Sequence, residues 1–191
     1  NEPYKYSYGA TERFLKSITV QTLSRKNLHE KIDPLSIEEV LDSCTDYMKS
    51  RQWHKAEAGY RQVLELEPDH PLALTRLTPV LLQSRQFAEA QRLARRYVDN
   101  HAADPNAWRL LGNTCLTSRA FAEAEAAYRK ALELDGTLAD HFCLGCALQN
   151  QHRHTEAINE LMIVMSARPA NSQEASLQKN AKQLLSQMAH A

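Results

Sequence analysis

Two cysteines three residues apart, with histidines close by, are the residues of this chain best suited to chemistry. Cys143 and Cys146 form a C-x-x-C pair, and His141, His152 and His154 flank it in the sequence. Paired thiols in such settings bind zinc, attach haem or cycle through a disulfide. The spacing therefore raises a metal or redox function as one hypothesis.

The sequence around the pair favours a structural role instead. Ala147 follows Cys146 where haem attachment needs a histidine, and no second C-x-x-C completes a zinc site. The pair also lies in a predicted helix, where cysteine often serves as a small apolar side chain. No Walker loop, G-x-S-x-G, H-E-x-x-H or dinucleotide glycine motif occurs in the sequence. We predict a non-enzymatic protein without cofactor or metal, and the C-x-x-C pair keeps metal or redox use as an alternative.

The overall composition narrows the possible partners. The 191 residues are 43% hydrophobic and 24% charged, and 23 Lys and Arg balance 23 Asp and Glu. A neutral chain gives no general attraction to nucleic acid or to an anionic membrane. No apolar run approaches the roughly 18 residues of a spanning helix. We therefore predict neither nucleic acid binding nor membrane insertion.

The residue types also indicate the fold class and the compartment. Only five glycines and seven prolines interrupt a sequence rich in helix formers, which disfavours all-β and Rossmann-like folds. Four cysteines are too few and too irregularly spaced for a disulfide framework, so we expect a reducing compartment and a cytoplasmic location.

An internal repeat is the main organising feature of the sequence. Ala56, Ala90, Ala124 and Ala157 recur at spacings of 34, 34 and 33 residues. A large residue precedes each alanine by three positions, and an apolar residue follows it by four, which are helical intervals. A small alanine lets one helix lie close against the preceding helix. Each repeat is therefore predicted to be a helix hairpin.

Proline and glycine mark the ends of the hairpins. Pro68, Gly136 and Pro169 are expected to stop the second helices, because proline lacks an amide donor and glycine readily takes a left-handed C-terminal conformation. Pro79 falls inside a first helix and is expected to kink or shorten it.

The best-formed repeat resembles the tetratricopeptide repeat family. Within residues 106–136, Trp108, Leu111 and Gly112 are followed by Tyr128 and Ala131 at the family's spacing. The resemblance covers about 37–171 and implies an all-α helix-hairpin solenoid of about four repeats. The predicted segments are an N-terminal helical arm (1–36), four repeats (37–70, 71–104, 105–137, 138–171) and a C-terminal capping helix (172–191).

A binding groove follows from this architecture, because the first helix of each hairpin lines the concave face of such a solenoid. Arg109 and Asn113 lie one turn apart and could together hold a carboxylate or a peptide backbone, whereas the alternative makes Arg109 a solvated surface charge. The predicted groove residues are Leu41, Thr45, Met48, Thr75, Arg76, Leu82, Asn106, Arg109, Asn113, Leu116, Phe142, Cys146 and Gln149.

The predicted function is binding of a peptide or protein segment in this groove, as an adaptor or chaperone. The layout of Phe14 to Lys16, Ser36 to Val40, the repeats and Glu174 to Met188 is similar to type III secretion chaperones for translocator proteins, which implies a secretion-related role. The alternative is a self-associating scaffold, a homo-oligomer formed through the N-terminal arm. Apolar residues of that arm, such as Ile18 and Leu23, need cover either on the first hairpin or in a groove.

Overall fold

The computed structural model describes residues 36–189, and within that range all regular structure is helical. The first unit of the chain ends at Ala73 and the second begins at Leu74, and each is described separately. The helices are α1 (Ile37–Lys49), α2 (Trp53–Leu66), α3 (Pro71–Gln83), α4 (Phe87–Asn100), α5 (Pro105–Thr117), α6 (Phe121–Asp135), α7 (Leu138–Asn150), α8 (His154–Ser166) and α9 (Ser172–Ala189). The predicted N-terminal arm lies outside the described residues, apart from Ser36.

The repeating alanines lie where each hairpin closes. Ala56, Ala90, Ala124 and Ala157 have no exposed surface, as the repeat predicts. In the first unit α1 packs on α2, and in the second unit each helix from α4 to α9 packs on the next one. The predicted fold class, an all-α array of helix hairpins ending in a capping helix, is confirmed.

Helix α9 covers the apolar end of the last hairpin. It contacts both α7 and α8, and its Ala181 joins Leu161 and Val164 in a fully buried cluster. Phe142 of α7 packs against this cluster and is itself half-buried. The apolar spacing predicted for the C-terminal segment therefore serves to complete the core.

The second helices of the second unit are also linked by charge. Arg95 of α4 pairs with Glu123 of α6, and Arg129 of α6 reaches Glu156 of α8 at 3.5 Å. All four side chains are about half exposed, so water screens both pairs and each contributes little to stability. The pairs mainly fix how one hairpin is aligned with the next.

The left-handed backbone positions are not where the sequence predicted them. Gly136 has φ −68° and ψ 132°, an extended conformation that leads from α6 into α7, so its expected left-handed cap is wrong. Positive φ occurs instead inside the hairpins, between first and second helices. The residues with this conformation are Arg51, Arg85, Arg119 and His152.

Pro79 is accommodated without shortening its helix. Helix α3 has 13 residues including Pro79, the same length as α5, so the expected shortening is wrong. The Pro79 side chain is exposed, and water can therefore reach the carbonyl that loses its amide donor. The neighbouring Thr78 is fully buried, and its hydroxyl donates to the Leu74 carbonyl at 2.8 Å.

Candidate functional site

A stripe of exposed and half-buried side chains runs along the first helices of the last two hairpins. On both helices the stripe runs at intervals of four, three and four residues, which places its members on one face. We call this stripe the first-helix face. It consists of Asn106, Leu110, Asn113 and Thr117 on α5, and Ala139, Cys143, Cys146 and Asn150 on α7.

The predicted groove residues of α5 and α7 fall on this face or along one side of it. Asn106 and Asn113 are exposed and Cys146 is half-buried, all within the stripe. The predicted residues Arg109, Leu116, Phe142 and Gln149 are half-buried beside it. On α3, Arg76 is exposed while Thr75 and Leu82 are half-buried.

The sequence analysis missed five members of the stripe. Leu110, Thr117, Ala139, Cys143 and Asn150 continue the same helical spacing, and Thr117, Ala139 and Asn150 are exposed. A projection of one helix also carries no information about partners on other helices, such as the bond from Arg109 to Asp140 of α7.

The first unit places its three predicted residues differently. Thr45 is exposed and Met48 is half-buried, but Leu41 keeps only 7% of its surface exposed. Leu41 therefore contributes to the core of the first unit rather than to a surface.

Arg109 is bound by a carboxylate of its own chain. Its Nε lies 3.0 Å from both Asp140 carboxylate oxygens, and its Nη2 lies 3.0 Å from Asp140 Oδ2. Its Nη1 donates to Asn106 Oδ1 at 3.1 Å, and its Nη2 also donates to the Asp135 carbonyl. Hydrogen bonding to Asp140 raises the pKa of Arg109 further above its ordinary value. The interpretation of Arg109 as a solvated charge is wrong, and a ligand carboxylate must compete with Asp140 for it.

Asp140 joins α5 to the start of α7. Only 2% of its surface is exposed, and its Oδ2 accepts from the Thr137 amide at 2.9 Å and from the Thr137 hydroxyl at 2.8 Å. In return the Thr137 hydroxyl accepts from the Asp140 amide, which completes a capping box. The Thr137-x-x-Asp140 spacing is the sequence signal that could have identified this residue.

The amide oxygen of Asn113 is hydrogen-bonded to a buried side chain, and its amide nitrogen remains available. Its Oδ1 accepts a hydrogen bond from the buried Tyr128 hydroxyl at 2.8 Å, because Tyr128 fills the space against Gly112. Burial raises the pKa of Tyr128 well above its usual range, so the phenol stays protonated and donates. The side-chain NH₂ of Asn113 therefore remains as an ordered donor on an exposed residue.

The two cysteines of the C-x-x-C pair are poorly suited to thiolate chemistry. Both cysteines lie within α7 as free thiols. Burial raises the pKa of Cys143, and burial together with the neighbouring Cys143 raises that of Cys146 to about 11. Metal binding and disulfide exchange both need the thiolate, which is scarce near neutral pH at such pKa values. Across residues 36–189, no group of three or more His, Cys, Asp or Glu is placed to hold a metal ion.

In the second unit, helix hairpins packed one on the next with a buried alanine at each closure define a helical-repeat fold. Residues 75–139 match the sequence profile of the tetratricopeptide repeat. The predicted resemblance, carried by the residues around Trp108 and Gly112, is therefore confirmed for residues 75–139. None of its described helices is long and apolar enough to cross a bilayer.

Solved structures with the same fold include MamA proteins and an O-GlcNAc transferase. MamA from Desulfovibrio magneticus RS-1 is 22% identical, with a TM-score of 0.65 over 91% of this chain and 93% of that one. Another MamA protein is 16% identical, with a TM-score of 0.65 over 81% of this chain and 91% of that one. A Thermobaculum terrenum O-GlcNAc transferase mutant is 22% identical, with a TM-score of 0.56 over 71% of this chain but only 27% of the transferase. No curated protein sequence matches the chain.

Proposed function

We propose that the second unit binds a segment of another polypeptide across the first-helix face, as a non-enzymatic adaptor or chaperone. The observation that carries this proposal is the composition of the face. Asn106, Asn113 and Asn150 place three exposed amides on it, and its other members are small or apolar. Amide side chains can both donate to and accept from a peptide backbone, so they suit a polypeptide ligand of varied sequence.

The structure of the face lowers the cost of binding. Tyr128 fixes the Asn113 amide, and Arg109 fixes the Asn106 amide, so these groups lose little freedom when a ligand arrives. Leu110 and Leu116 are half-buried and offer apolar contact beside the amides. Burial of about 400 Å² of apolar surface at roughly 25 cal/mol per Å² gives about 10 kcal/mol, and ordering costs of about 4 kcal/mol or more leave an affinity of tens of micromolar or weaker.

Charge on the face selects against some ligands. Arg109 is neutralised by Asp140, so the face on α5 and α7 carries no unpaired charge among the described residues. A ligand held mainly by ionic contacts gains little there, which favours a segment recognised through its backbone and through apolar side chains. A chaperone role in secretion is compatible with such recognition and rests on the resemblance in layout alone.

A peptide-display selection on the immobilised chain tests the proposal. We expect selected peptides to bind with affinities of roughly tens of micromolar, and to bind the double variant Asn106→Glu/Gln149→Glu at least about tenfold more weakly. The matched control is Ala126→Glu, an exposed position on the second helix α6. Equal binding to the first-helix variant and the wild type, or a loss in the α6 variant instead, contradicts the proposal.

A further inference from the structure

The turns inside the hairpins carry basic residues in the left-handed backbone conformation, which is sterically unfavourable for residues with a side chain. Arg85, Arg119 and His152 of the second unit have φ of 59°, 64° and 61°, and Arg51 of the first unit has φ of 57°. Each lies two residues after a first helix ends and two residues before a second helix begins. Glycine takes this conformation without the steric cost that a side chain brings. All four turns nevertheless carry a basic residue.

These side chains are free to meet a ligand. Arg85, Arg119 and His152 are exposed, and within residues 36–189 neither arginine makes an ion pair. Arg95, Arg109 and Arg129, by contrast, are each paired with a carboxylate. The arginines of the turns are therefore not explained by packing or by charge balance within the unit.

An aromatic ring follows each basic residue by two positions in the second unit. Phe87 is 36% exposed, Phe121 is half-buried and His154 is exposed. We call these rings together with Arg85, Arg119 and His152 the turn edge. Two hydrogen bonds tie turns to the preceding second helix: Gln91 Nε2 of α4 donates to Ser118 Oγ at 2.5 Å, and Gln151 Nε2 donates to the Phe121 carbonyl of α6 at 3.2 Å. The turns of Arg119 and His152 are thereby held in place.

An open pocket of about 500 Å³ lies at one end of the turn edge. Its walls combine an apolar surface with the Arg85 guanidinium. The lining residues are Pro79, Leu82, Gln83, Arg85, Phe87 and Thr117. A pocket of this kind fits one apolar side chain whose neighbour in the ligand carries a negative charge.

We propose that the turn edge binds an acidic peptide segment, with an apolar side chain in the pocket and carboxylates at Arg85 and Arg119. The inference rests on the proposed function, since it names a second surface for a polypeptide ligand. A peptide in the polyproline II conformation advances about 9 Å every three residues and returns to the same face. Acidic residues at every third position therefore all face the turn edge.

The same surface is poorly suited to a nucleic acid strand. Glu89, Glu123 and Glu156 each lie two residues beyond a ring of the turn edge and would repel a continuous row of phosphates. The chain as a whole has no net charge. A segment with spaced carboxylates can place neutral residues beside these glutamates.

Fluorescence polarisation with synthetic peptides on the full chain tests the inference. The probe carries one leucine and a glutamate at every third position, and the comparison peptides replace either the leucine by serine or the glutamates by glutamine. Arg85→Gly/Arg119→Gly removes both guanidinium groups while relieving the backbone, so its melting temperature should not fall. We expect this variant to bind the probe at least about tenfold more weakly, and Arg85→Lys/Arg119→Lys to restore part of the affinity.

The controls separate the turn edge from general charge and from other exposed surface. Lys179→Ala/Lys182→Ala removes two exposed cations of α9 and should bind the probe as the wild type does. Ala126→Glu, on α6 and outside both proposed surfaces, should also leave probe binding unchanged. The inference is overturned if the glycine variant binds normally, if the α9 variant loses as much, or if a single-stranded oligonucleotide displaces the probe more strongly than the peptide itself. Display-selected peptides that still bind the first-helix face in that case leave the proposed function intact.

Discussion

In both hairpins, α1–α2 and α5–α6, the two helices approach each other closely at a glycine, but the glycine lies on a different helix in each. In α5–α6 the first helix carries Gly112, and a methyl group there would lie 2.9 Å from the Tyr128 ring. In α1–α2 the first helix carries Cys44 at the matching position, and the second helix supplies Gly59 opposite it, where a methyl group would lie 2.3 Å from Cys44 Sγ. The close approach is thus a property of the helix pair, and either partner can provide the missing side chain.

The helix starts differ as well, and this difference should have the largest effect. Asp140→Ala removes a capping box and leaves Arg109 without its carboxylate, so we expect a loss of about 3 kcal/mol. Ser36 precedes α1 and makes no side-chain capping bond, so Ser36→Ala should cost less than about 0.5 kcal/mol. Chemical denaturation of both variants measures the two losses of unfolding free energy. Equal losses would mean that Asp140 does not organise the start of α7.

The alanine that both hairpins share should make them respond alike. Ala124→Leu and Ala56→Leu each place a long side chain where no surface is exposed, and each should cost about 1–3 kcal/mol. Ala126→Leu, at an exposed position of α6, is the matched control. An unchanged denaturation midpoint for Ala124→Leu would show that the helix contact is not at this alanine.

The exchanged glycine can be tested by exchanging it back. Gly59→Ala gains helix propensity but drives a methyl group into Cys44, so we expect a net loss of about 1 kcal/mol. Adding Cys44→Gly should remove that clash, so the pair of changes should cost less than the sum of the two single ones. If the two changes in unfolding free energy were strictly additive in a double-mutant cycle, the close contact between Gly59 and Cys44 would be contradicted.

The buried thiols predict a smaller difference in pH dependence. Burial raises the pKa of Cys44 to about 12, and burial and Glu123 raise that of Cys115 to about 11, both from 9.0. The folded state holds each proton more tightly than the unfolded state, so this stability is complete below about pH 9 and falls as pH rises toward the folded value. Denaturation of Cys44→Ala between pH 8 and pH 10 should show a shallower decline than the wild type. A decline as steep as that of the wild type would contradict the assignment to Cys44.

The sequence predicted the features that depend on spacing along one chain segment. The alanine repeat from Ala56 to Ala157 predicted the hairpins, and the apolar spacing after Ser172 predicted the capping helix. It did not predict the features that depend on a neighbour in space. The partner of Arg109 lies 31 residues away, and the period alone does not state how one hairpin is aligned with the next. Gly136 shows a further limit, because a glycine permits a left-handed backbone without requiring it.

The candidate site was predicted in part for the same reason. Helical spacing placed Asn106 and Asn113 on an open face, and both are exposed. It could not show that Arg109 is bound by Asp140 of α7 or that Thr117 is exposed on the same face. Predicting the stripe fully needs the contacts of α5 with α4, α6 and α7.

Backbone chemical-shift mapping during titration with a display-selected peptide tests directly whether the first-helix face is the binding surface. We expect shifts to concentrate in α5 and α7, at residues of the first-helix face such as Asn113 and Asn150, while the exposed sides of α6 and α8 stay unchanged. Shifts confined to α6 and α8, with α5 and α7 unperturbed, would contradict binding at the first-helix face.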